Sequence, residues 1–252
     1  MDAAQAQATA RIALACLDLT SLNDTDTPAD IEKLCAKAQG PHGPTAAVCV
    51  WPRFAALARS LLPPGIAVAA VANFPDGSID VQRAVRDTGQ IVQSGAQEVD
   101  VVMPYRDLPA APTLLAAVRR ACGSLRLKVI LETGELQDPA LIQRACRIAL
   151  DAGADFLKTS TGKTARSATP EAAVLLLEAI AADPGARDRV GFKPAGGVRT
   201  VADAAVYIAL TRAHLGPTAV TPARFRIGAS GLLSDIEAVL SGAHRPSPGS
   251  SY

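Results

Sequence analysis

Eight short runs of apolar residues recur along the chain, separated by stretches with helical periodicity. Most of these runs are continuous rather than alternating between polar and apolar positions, as is typical of strands covered on both faces in a parallel sheet. The predicted strands are Leu14–Asp18, Ala46–Trp51, Ile66–Asn73, Glu98–Met103, Leu127–Glu132, Ala154–Lys158, Val190–Lys193 and Phe225–Gly228. This pattern indicates an α/β protein with a parallel sheet.

The intervening stretches carry start and stop signals for helices. A capping residue followed by proline, which favours the first turn of a helix, occurs three times. These pairs are Thr27-Pro28, with Asp30 placed for a capping box, Asp138-Pro139 and Thr169-Pro170. One face of the second of these helices carries Leu141, Ile142, Ala145, Cys146 and Ala149. Gly95 and Gly153 stand at helix ends before two similar strand starts, SGAQEVDVV and DAGADFLKT, which indicates a repeated β/α unit.

Eight predicted strands, each followed by a helix, give the count of a (β/α)8 TIM barrel. We expect a single such domain over residues 1–241, since no linker divides the chain. A doubly wound open sheet is the alternative, and it is disfavoured because no Gly-x-Gly-x-x-Gly motif follows an early strand. Residues 242–252, GAHRPSPGSSY, are rich in Pro, Gly and Ser and are predicted to form a flexible tail.

Composition narrows the class of protein further. Of the 252 residues, 49% are hydrophobic and 19% are charged, which suits a well-buried globular domain rather than a disordered chain. The formal net charge of +1, without any charge block, gives no electrostatic support for binding to nucleic acid or membranes. Five cysteines without a CxxC motif, no signal-peptide pattern and no apolar run of about 20 residues predict a reduced, cytoplasmic protein.

Polar residues end most of the predicted strands, at the place where a barrel has its active site. They are Asp18, Asn73, Asp100, Glu132, Lys158 and Lys193, with Ser230 just beyond the last strand and Cys49 near the end of the second. Burial of such groups without partners would cost roughly 1–3 kcal/mol each, so core packing does not explain them. Taken singly, Asp18 could simply cap a loop, and Cys49 is more typical of a small buried hydrophobe than of a nucleophile.

The two lysines point to covalent carbonyl chemistry. Lys158 in DFLKTSTGK and Lys193 in GFKPAGGV each end an apolar run and precede Gly-rich sequence. Loss of hydration and a second ammonium nearby both favour the neutral amine. A neutral lysine amine is a nucleophile that forms Schiff bases with carbonyl compounds. A lone lysine at a strand end is usually exposed to solvent, but two of them with an aspartate opposite favour a site.

Three Gly-rich segments follow the last three strands. They are Thr161-Gly162-Lys163, Gly196-Gly197-Val198-Arg199 and Gly228-Ala229-Ser230-Gly231. Barrels often bind phosphate after strands seven and eight through loop amides and a helix N-terminus, and Lys163 could neutralise a dianion there. Glycine also serves ordinary turns, so each loop alone is weak evidence. Together the three loops predict a phosphorylated ligand.

No metal site is expected. The three histidines, His42, His214 and His244, lie far apart in sequence, and none of them falls at a predicted strand end. A zinc-dependent aldol mechanism usually needs clustered imidazoles. A Ser-His-Asp hydrolase is disfavoured for a related reason, since no histidine is placed to orient a strand-end serine.

The motifs resemble those of the deoxyribose-phosphate aldolases, a family of class I, Schiff-base aldolases with a barrel fold. The matching segments run in family order from residue 17 to the last residue. They are LDLTSLNDTDT, TAAVCVWPRF, VANFPDG, EVDVVMPYRDL, LKVILETGEL, AGADFLKTSTGK, VGFKPAGGVRT, FRIGASGLL and the terminal SSY. The combination of DFLKTSTGK with GFKPAGGVRT is highly specific.

The resemblance implies a role for each site residue. Lys158 matches the Schiff-base lysine, Lys193 the second lysine that perturbs it, and Asp100 the aspartate that moves protons with Lys193 and a water. The residues implied at the substrate site are Asp18, Cys49, Thr161 and the terminal Tyr252. The residues implied to bind phosphate are Gly162, Lys163, Gly196, Gly197, Gly228 and Ser230. Gly231 departs from the family, in which a second serine often follows GAS, so one hydroxyl is missing at the implied phosphate site.

The implied reaction is the reversible aldol cleavage of 2-deoxy-D-ribose 5-phosphate to acetaldehyde and D-glyceraldehyde 3-phosphate, in deoxyribonucleoside catabolism, without a metal or other cofactor. The expected partners are a phosphosugar and aldehydes, and the resemblance favours a homodimer because relatives are often dimers. Two alternatives stay open. One is a Schiff-base aldolase for another sugar phosphate or a transaldolase-like transferase, and the other is a barrel that binds a sugar phosphate without catalysis.

Overall fold

The computed structural model describes residues 1–242, and its central feature is a ring of eight parallel strands. The strands are Leu17–Thr20 (β1), Ala47–Val50 (β2), Ala67–Ala72 (β3), Glu98–Val102 (β4), Arg126–Ile130 (β5), Phe156–Lys158 (β6), Gly191–Lys193 (β7) and Ile227–Ala229 (β8). Neighbouring strands pair in the order β7-β6-β5-β4-β3-β2-β1-β8. Parallel bridges from Phe192 to Phe225 and from Ala195 to Gly228 close the ring. The predicted (β/α)8 barrel is confirmed.

Helices separate the strands in sequence and cover the outside of the ring. They are Ala3–Ala15 (α1), Pro28–Lys37 (α2), Pro52–Leu61 (α3), Val81–Gln93 (α4), Ala111–Cys122 (α5), Thr133–Leu136 (α6), Pro139–Asp151 (α7), Pro170–Ala182 (α8), Val201–Leu215 (α9) and Leu232–Leu240 (α10), with 3₁₀ helices at Leu108–Ala110 and Pro217–Ala219. Within residues 1–242, no helix combines the length and apolar character needed to cross a membrane.

The three helix starts marked by a capping residue and proline are confirmed. The side chain of Thr27 accepts a hydrogen bond from the Asp30 N–H in a capping box, and Asp138 and Thr169 cap α7 and α8. Each cap satisfies backbone donors that the first helical turn leaves free. Two of the predicted helix-end glycines adopt positive φ, at 77° for Gly95 and 80° for Gly153.

Two local predictions are wrong. The first predicted strand begins at Leu14, but Leu14 belongs to α1, which the sequence analysis did not predict, and β1 begins at Leu17. Helix α1 forms because it is rich in alanine and because Asp2 and Gln5 make a capping box. Leu141 was assigned to the buried face of α7, yet it is 39% exposed because it lies at the edge of that apolar stripe.

The predicted flexible tail, residues 242–252, lies outside the described residues except for Gly242, and the domain boundary at residue 241 stays a prediction. The barrel itself is buried on both sides of its strands, as the continuous apolar runs predict: every residue of β2 and β4 is buried. The exception to an apolar core is a set of charged side chains that point into the ring.

Candidate active site

Three of the predicted site residues meet inside the barrel, near the carboxyl ends of β6 and β7. Lys158 and Lys193 are register partners on these adjacent strands. Oδ2 of Asp100, on β4, accepts a hydrogen bond of 2.8 Å from the Nζ atom of each lysine. All three side chains are buried. One carboxylate oxygen therefore holds two amines side by side, in surroundings that strengthen their electrostatic interaction.

The other oxygen of Asp100 is held by Lys128, which the sequence analysis did not single out. Lys128 lies opposite Asp100 in the register of β4 and β5. Its Nζ atom is 2.7 Å from Oδ1 of Asp100 and 2.5 Å from Oε2 of Glu98, and its side chain is fully buried. Lys128 thereby fixes the orientation of the carboxylate that Lys158 and Lys193 share.

Asp18 connects this cluster to a second buried cation. Its Oδ2 atom accepts a hydrogen bond from Lys193 at 2.5 Å, and its Oδ1 atom accepts one from Nη1 of Arg226 at 2.5 Å. Arg226 also donates to both carboxylate oxygens of Glu98, at 2.7 and 3.2 Å. Asp18 is therefore a fully buried member of the network, and not the cap of a loop.

The buried network has one more cation than it has carboxylates. Its three carboxylates belong to Asp18, Glu98 and Asp100, and its four cationic groups belong to Lys128, Lys158, Lys193 and Arg226. Arg126, which is partly exposed, pairs with Glu98 at its edge. An unbalanced charge is expensive to bury. Among the four, Lys158 contacts a single carboxylate, so its neutral amine is the form that balances the network.

The expected pKa values agree with this balance. Burial, aided by the ammonium of Lys193, lowers the pKa of Lys158 below its usual value, although Asp100 opposes the shift. Burial also acts against the charged form of Lys193, but there the carboxylates of Asp100 and Asp18 outweigh it and raise the pKa. Burial acts against the ionised form of Asp100, and the cations of Lys128, Lys158 and Lys193 nevertheless hold its pKa well below the usual range. The pKa values of the two predicted lysines are thus shifted in opposite directions, down for Lys158 and up for Lys193.

Cys49 lies beside this cluster. Its Sγ atom is 4.0 Å from Oδ2 of Asp100, and the residue is fully buried on β2. Burial and the neighbouring Asp100 carboxylate raise the pKa of the Cys49 thiol. A neutral thiol is a poor nucleophile, so this environment favours a packing role over a reactive one.

All six predicted phosphate-binding residues line one cavity of about 530 Å³ at the carboxyl end of the strands. The six are Gly162, Lys163, Gly196, Gly197, Gly228 and Ser230. Lys158 and the predicted Thr161 line the same cavity, so it reaches from the Lys158 side chain to the Gly-rich loops. Arg199, which was not predicted as a site residue, adds a second cation beside Lys163, and among residues 1–242 no carboxylate side chain lines the cavity. The cavity is suited to an anionic ligand.

Two of these glycines are required because neighbouring side chains lie close to their backbone. A Cβ atom on Gly196, whose φ is 78°, would lie 2.5 Å from Oγ of Ser167. A Cβ atom on Gly228 would lie 3.0 Å from Cε of Lys193. Glycine at these positions lets three loops converge around the cavity and leaves room for the buried lysine.

The other two polar residues at strand ends have structural partners. Asn73, at φ 52°, donates from Nδ2 to the carbonyl oxygens of Ser78 and Val102 and thereby ties the β3–α4 loop to β4. Glu132, at φ 57°, accepts hydrogen bonds from the backbone N–H and the hydroxyl of Thr161. Left-handed backbone at a non-glycine residue is uncommon and is not evident from a sequence.

The predicted Tyr252 lies outside the described residues, as does His244. Within residues 1–242, no three His, Cys, Asp or Glu side chains are arranged to hold a metal ion. Nε2 of His42 is 3.1 Å from the hydroxyl of Ser241.

The fold and the cavity define a (β/α)8 barrel protein with a cavity lined by cations and glycines beside a buried amine. A family described as the DeoC/LacD family aldolases matches residues 12–234, and the chain belongs to this family. It is therefore an aldolase, a lyase that makes and breaks carbon–carbon bonds.

Individual relatives agree with this assignment. The chain is 47% identical over 251 residues to the deoxyribose-phosphate aldolase of Agrobacterium fabrum, with 96% of each sequence covered. Its structure is similar to that of a candidate deoxyribose-phosphate aldolase from Toxoplasma gondii, with a TM-score of 0.86, 26% identity, and coverage of 96% of this chain and 97% of that one. The deoxyribose phosphate aldolase of Aeropyrum pernix, described as tetrameric, shares the fold at a TM-score of 0.76 and 23% identity, over 96% of this chain and 98% of that one.

Proposed function

We propose that the protein catalyses the reversible aldol cleavage of 2-deoxy-D-ribose 5-phosphate to acetaldehyde and D-glyceraldehyde 3-phosphate, through a Schiff base on Lys158. The observation that carries this proposal is the hydrogen-bonded set of Lys158, Asp100 and Lys193, with Lys158 reaching a cavity that is lined by cations and glycines. The identity to the Agrobacterium fabrum enzyme supports the choice of substrate.

The first step is attack of the Lys158 amine on C1 of the open-chain aldehyde. The product is a carbinolamine, which loses water to give an iminium ion. This step needs an uncharged amine, and a lowered pKa of Lys158 increases the uncharged fraction near neutral pH. Lys193, with its raised pKa, carries a positive charge beside it at neutral pH.

Cleavage then breaks the C2–C3 bond of the sugar. The iminium ion accepts the electron pair of that bond, while the C3 hydroxyl loses its proton and becomes the aldehyde group of D-glyceraldehyde 3-phosphate. The enamine that remains takes up a proton at C2, and hydrolysis of the resulting iminium releases acetaldehyde and restores Lys158. Asp100, Lys193 and a water are the proposed carriers of these protons.

The substrate phosphate occupies the Gly-rich end of the cavity in this proposal. Backbone amides of the three loops, the Ser230 hydroxyl and the Lys163 ammonium are its proposed partners. Thr161, which lines the same cavity, is the proposed contact for a sugar hydroxyl. Asp18 is buried behind Lys193, so we propose that it acts by holding that lysine. Phosphate binding far from the breaking bond positions the sugar for reaction.

Borohydride trapping with acetaldehyde tests the covalent step. The reagent reduces an iminium to a stable ethylamine, and mass mapping of the peptides locates it. We expect one ethyl adduct on Lys158, reduced in yield when 2-deoxy-D-ribose 5-phosphate is present. Lys158→Ala should lose the adduct and turnover together.

Folded protein without an adduct on any lysine would contradict the Schiff-base proposal and would favour a barrel that binds sugar phosphates without catalysis. An adduct from dihydroxyacetone phosphate but not from acetaldehyde would instead favour an aldolase for another sugar phosphate. A homodimer is a further proposal that rests on the family resemblance, and a cytoplasmic location is one that rests on the sequence. Light scattering of the purified protein tests the first, and fractionation of the source cells tests the second.

A further inference from the structure

Glu132 is a buried carboxylate that the proposed reaction does not use. It follows β5, it is fully buried, and its backbone is left-handed with φ and ψ both at 57°. A non-glycine residue adopts this strained conformation only where its surroundings hold it there. The conformation turns the Glu132 side chain toward residues 161–167, which we name the phosphate loop.

The phosphate loop has no regular structure of its own. Within the described residues, none of its members takes part in a backbone–backbone hydrogen bond. The loop nevertheless carries Gly162 and Lys163, which line the cavity, and its far end at Ser167 packs against Gly196. A loop without backbone hydrogen bonds must be ordered by side chains if it is to present its amides to an anion.

The Glu132 side chain makes the hydrogen bonds that order the phosphate loop. Its two carboxylate oxygens accept from the Thr161 N–H at 3.3 and 3.4 Å, from the Thr161 hydroxyl at 2.5 Å and from the Thr164 hydroxyl at 3.3 Å. The Thr161 hydroxyl also accepts a hydrogen bond of 3.0 Å from the N–H of Lys163. Across the described residues, every hydrogen bond that leaves residues 161–167 for the rest of the protein ends on Glu132.

We infer that Glu132 is the positioning residue that holds the phosphate loop in its anion-binding form, so that recognition of the substrate phosphate depends on this one carboxylate. The inference rests on the proposed function for the identity of the substrate. It assigns Glu132 no part in the chemistry at Lys158. A substitution of Glu132 should therefore weaken recognition of the substrate phosphate more than it affects the reaction at Lys158.

Glu132→Gln tests the inference because glutamine keeps the shape but replaces one acceptor oxygen by an amide group that faces donors. We expect KM for 2-deoxy-D-ribose 5-phosphate to rise about tenfold, the effect of losing a hydrogen bond to a charged group. The value of kcat/KM for 2-deoxy-D-ribose, which lacks the phosphate, should fall by a smaller factor, because this sugar depends on the loop only through the proposed contact of Thr161 with a sugar hydroxyl. Glu135→Gln, three residues away on a side chain that is 38% exposed, is the matched control and should leave both values unchanged.

Hydrogen exchange gives a readout that does not depend on turnover. The amides of Thr161 and Lys163, whose N–H groups are hydrogen-bonded to Glu132 and to the Thr161 hydroxyl, should exchange faster in Glu132→Gln than in the parent protein, while amides of the strands keep their rates. Thr164→Val, which removes one of the hydrogen bonds, should give the same pattern at smaller amplitude and serves as the second variant if Glu132→Gln does not fold.

Equal losses of kcat/KM for the two sugars, or unchanged KM with unchanged exchange in the phosphate loop, would overturn the inference. If the parent protein turned over neither sugar, the proposed function would fail on its own. The exchange experiment would still decide whether Glu132 orders the loop.

Discussion

Lys193 donates a hydrogen bond of 2.8 Å to Oδ2 of Asp100, the same oxygen that accepts a hydrogen bond from Lys158. The shared oxygen makes the protonation of one lysine depend on the charge of the other. Lys193 is bound to Asp18 as well, so it has two carboxylates to stabilise its charge, whereas Lys158 has one. This difference in carboxylate contacts explains why the structure favours the neutral form at Lys158 in particular.

Removal of the positive charge at residue 193 should therefore raise the pKa of Lys158. In Lys193→Met, Lys158 loses a repelling ammonium and no longer shares Oδ2 of Asp100 with a second lysine, and both changes stabilise its charged form. Because Schiff-base formation needs the neutral amine, the pH midpoint of borohydride trapping with acetaldehyde should move up by about one unit or more. Trapping measures this step even if turnover is lost.

Lys37→Met, at an exposed position of α2, is the control for that experiment and should leave the trapping midpoint where it is. A midpoint that moves down in Lys193→Met, or does not move, would show that Lys193 does not set the protonation of Lys158.

Lys158 and Lys193 could be found from the sequence because each ends an apolar run, and a parallel barrel brings all strand ends to one rim. Asp100 was chosen as a strand-end residue, but it lies within β4, Glu98–Val102. The supporting charges could not be found by the same rule, because Lys128 and Arg226 lie within or before their strands. The sequence did indicate a buried charged network in one place. Glu98 and Asp100 are two residues apart, which places both carboxylates on one face of β4.

Other features have no counterpart in a local sequence pattern. The role of Glu132 depends on a left-handed backbone and on a loop that comes next to it only in the folded barrel. The contribution of Arg199 to the cavity depends on how the β7–α9 loop closes over β8. Non-local contacts of this kind decide what a polar residue does, whereas periodicity decides only which face it occupies.

Glu98 should be important for stability, although it is not in the cavity. It accepts hydrogen bonds from Lys128, Arg226 and Arg126, and the first two of these are buried. Glu98→Gln would leave these cations short of one negative charge, which we expect to lower the free energy of unfolding by about 3–5 kcal/mol. Urea denaturation followed by circular dichroism measures the loss.

A control variant and a double variant are needed to interpret the loss of stability in Glu98→Gln. Glu32→Gln, on the exposed side of α2, should change stability by less than about 0.5 kcal/mol. The double variant Glu98→Gln/Lys128→Met should be less destabilised than the sum of its single variants, because it removes one charge of each sign. If the changes in the free energy of unfolding were strictly additive, Glu98 and Lys128 would not be energetically coupled.

Acidification should destabilise the protein through the same network. Burial acts against ionisation of Asp18, Glu98 and Asp100, but the neighbouring cations lower the pKa of all three in the folded state. A carboxylate with a lowered folded pKa contributes stability above its unfolded pKa, and this contribution is lost as the pH falls through the folded value. We expect the free energy of unfolding to decline below about pH 4. Urea titrations between pH 3 and pH 7 test the sign, and an increase in stability on acidification would contradict it.

The cysteines should resist alkylation in the native protein. All five are buried, and burial raises the pKa of their thiols, to about 12 for Cys16 and Cys146 and to about 11 for Cys35. The reactive thiolate is therefore scarce at pH 8. Mass spectrometry after iodoacetamide treatment should find little labelling without urea and five labels with it. Rapid labelling of Cys49 in the native state would show that the thiol beside Asp100 is ionised or accessible after all.

Gly231 offers a substitution that should improve the binding of the phosphorylated substrate. Gly231 lines the cavity directly before α10, its φ is −95°, and a Cβ atom built on it meets nothing within 4 Å, so serine fits without strain. The added hydroxyl is expected to donate to the substrate phosphate and to lower KM for 2-deoxy-D-ribose 5-phosphate about two- to fivefold, with little change in kcat. Gly231→Ala separates the hydroxyl from the effect of any side chain on the backbone and should leave KM within about twofold of the parent value. If serine and alanine gave the same KM, or if serine raised it, the missing hydroxyl would have no part in phosphate recognition at this site.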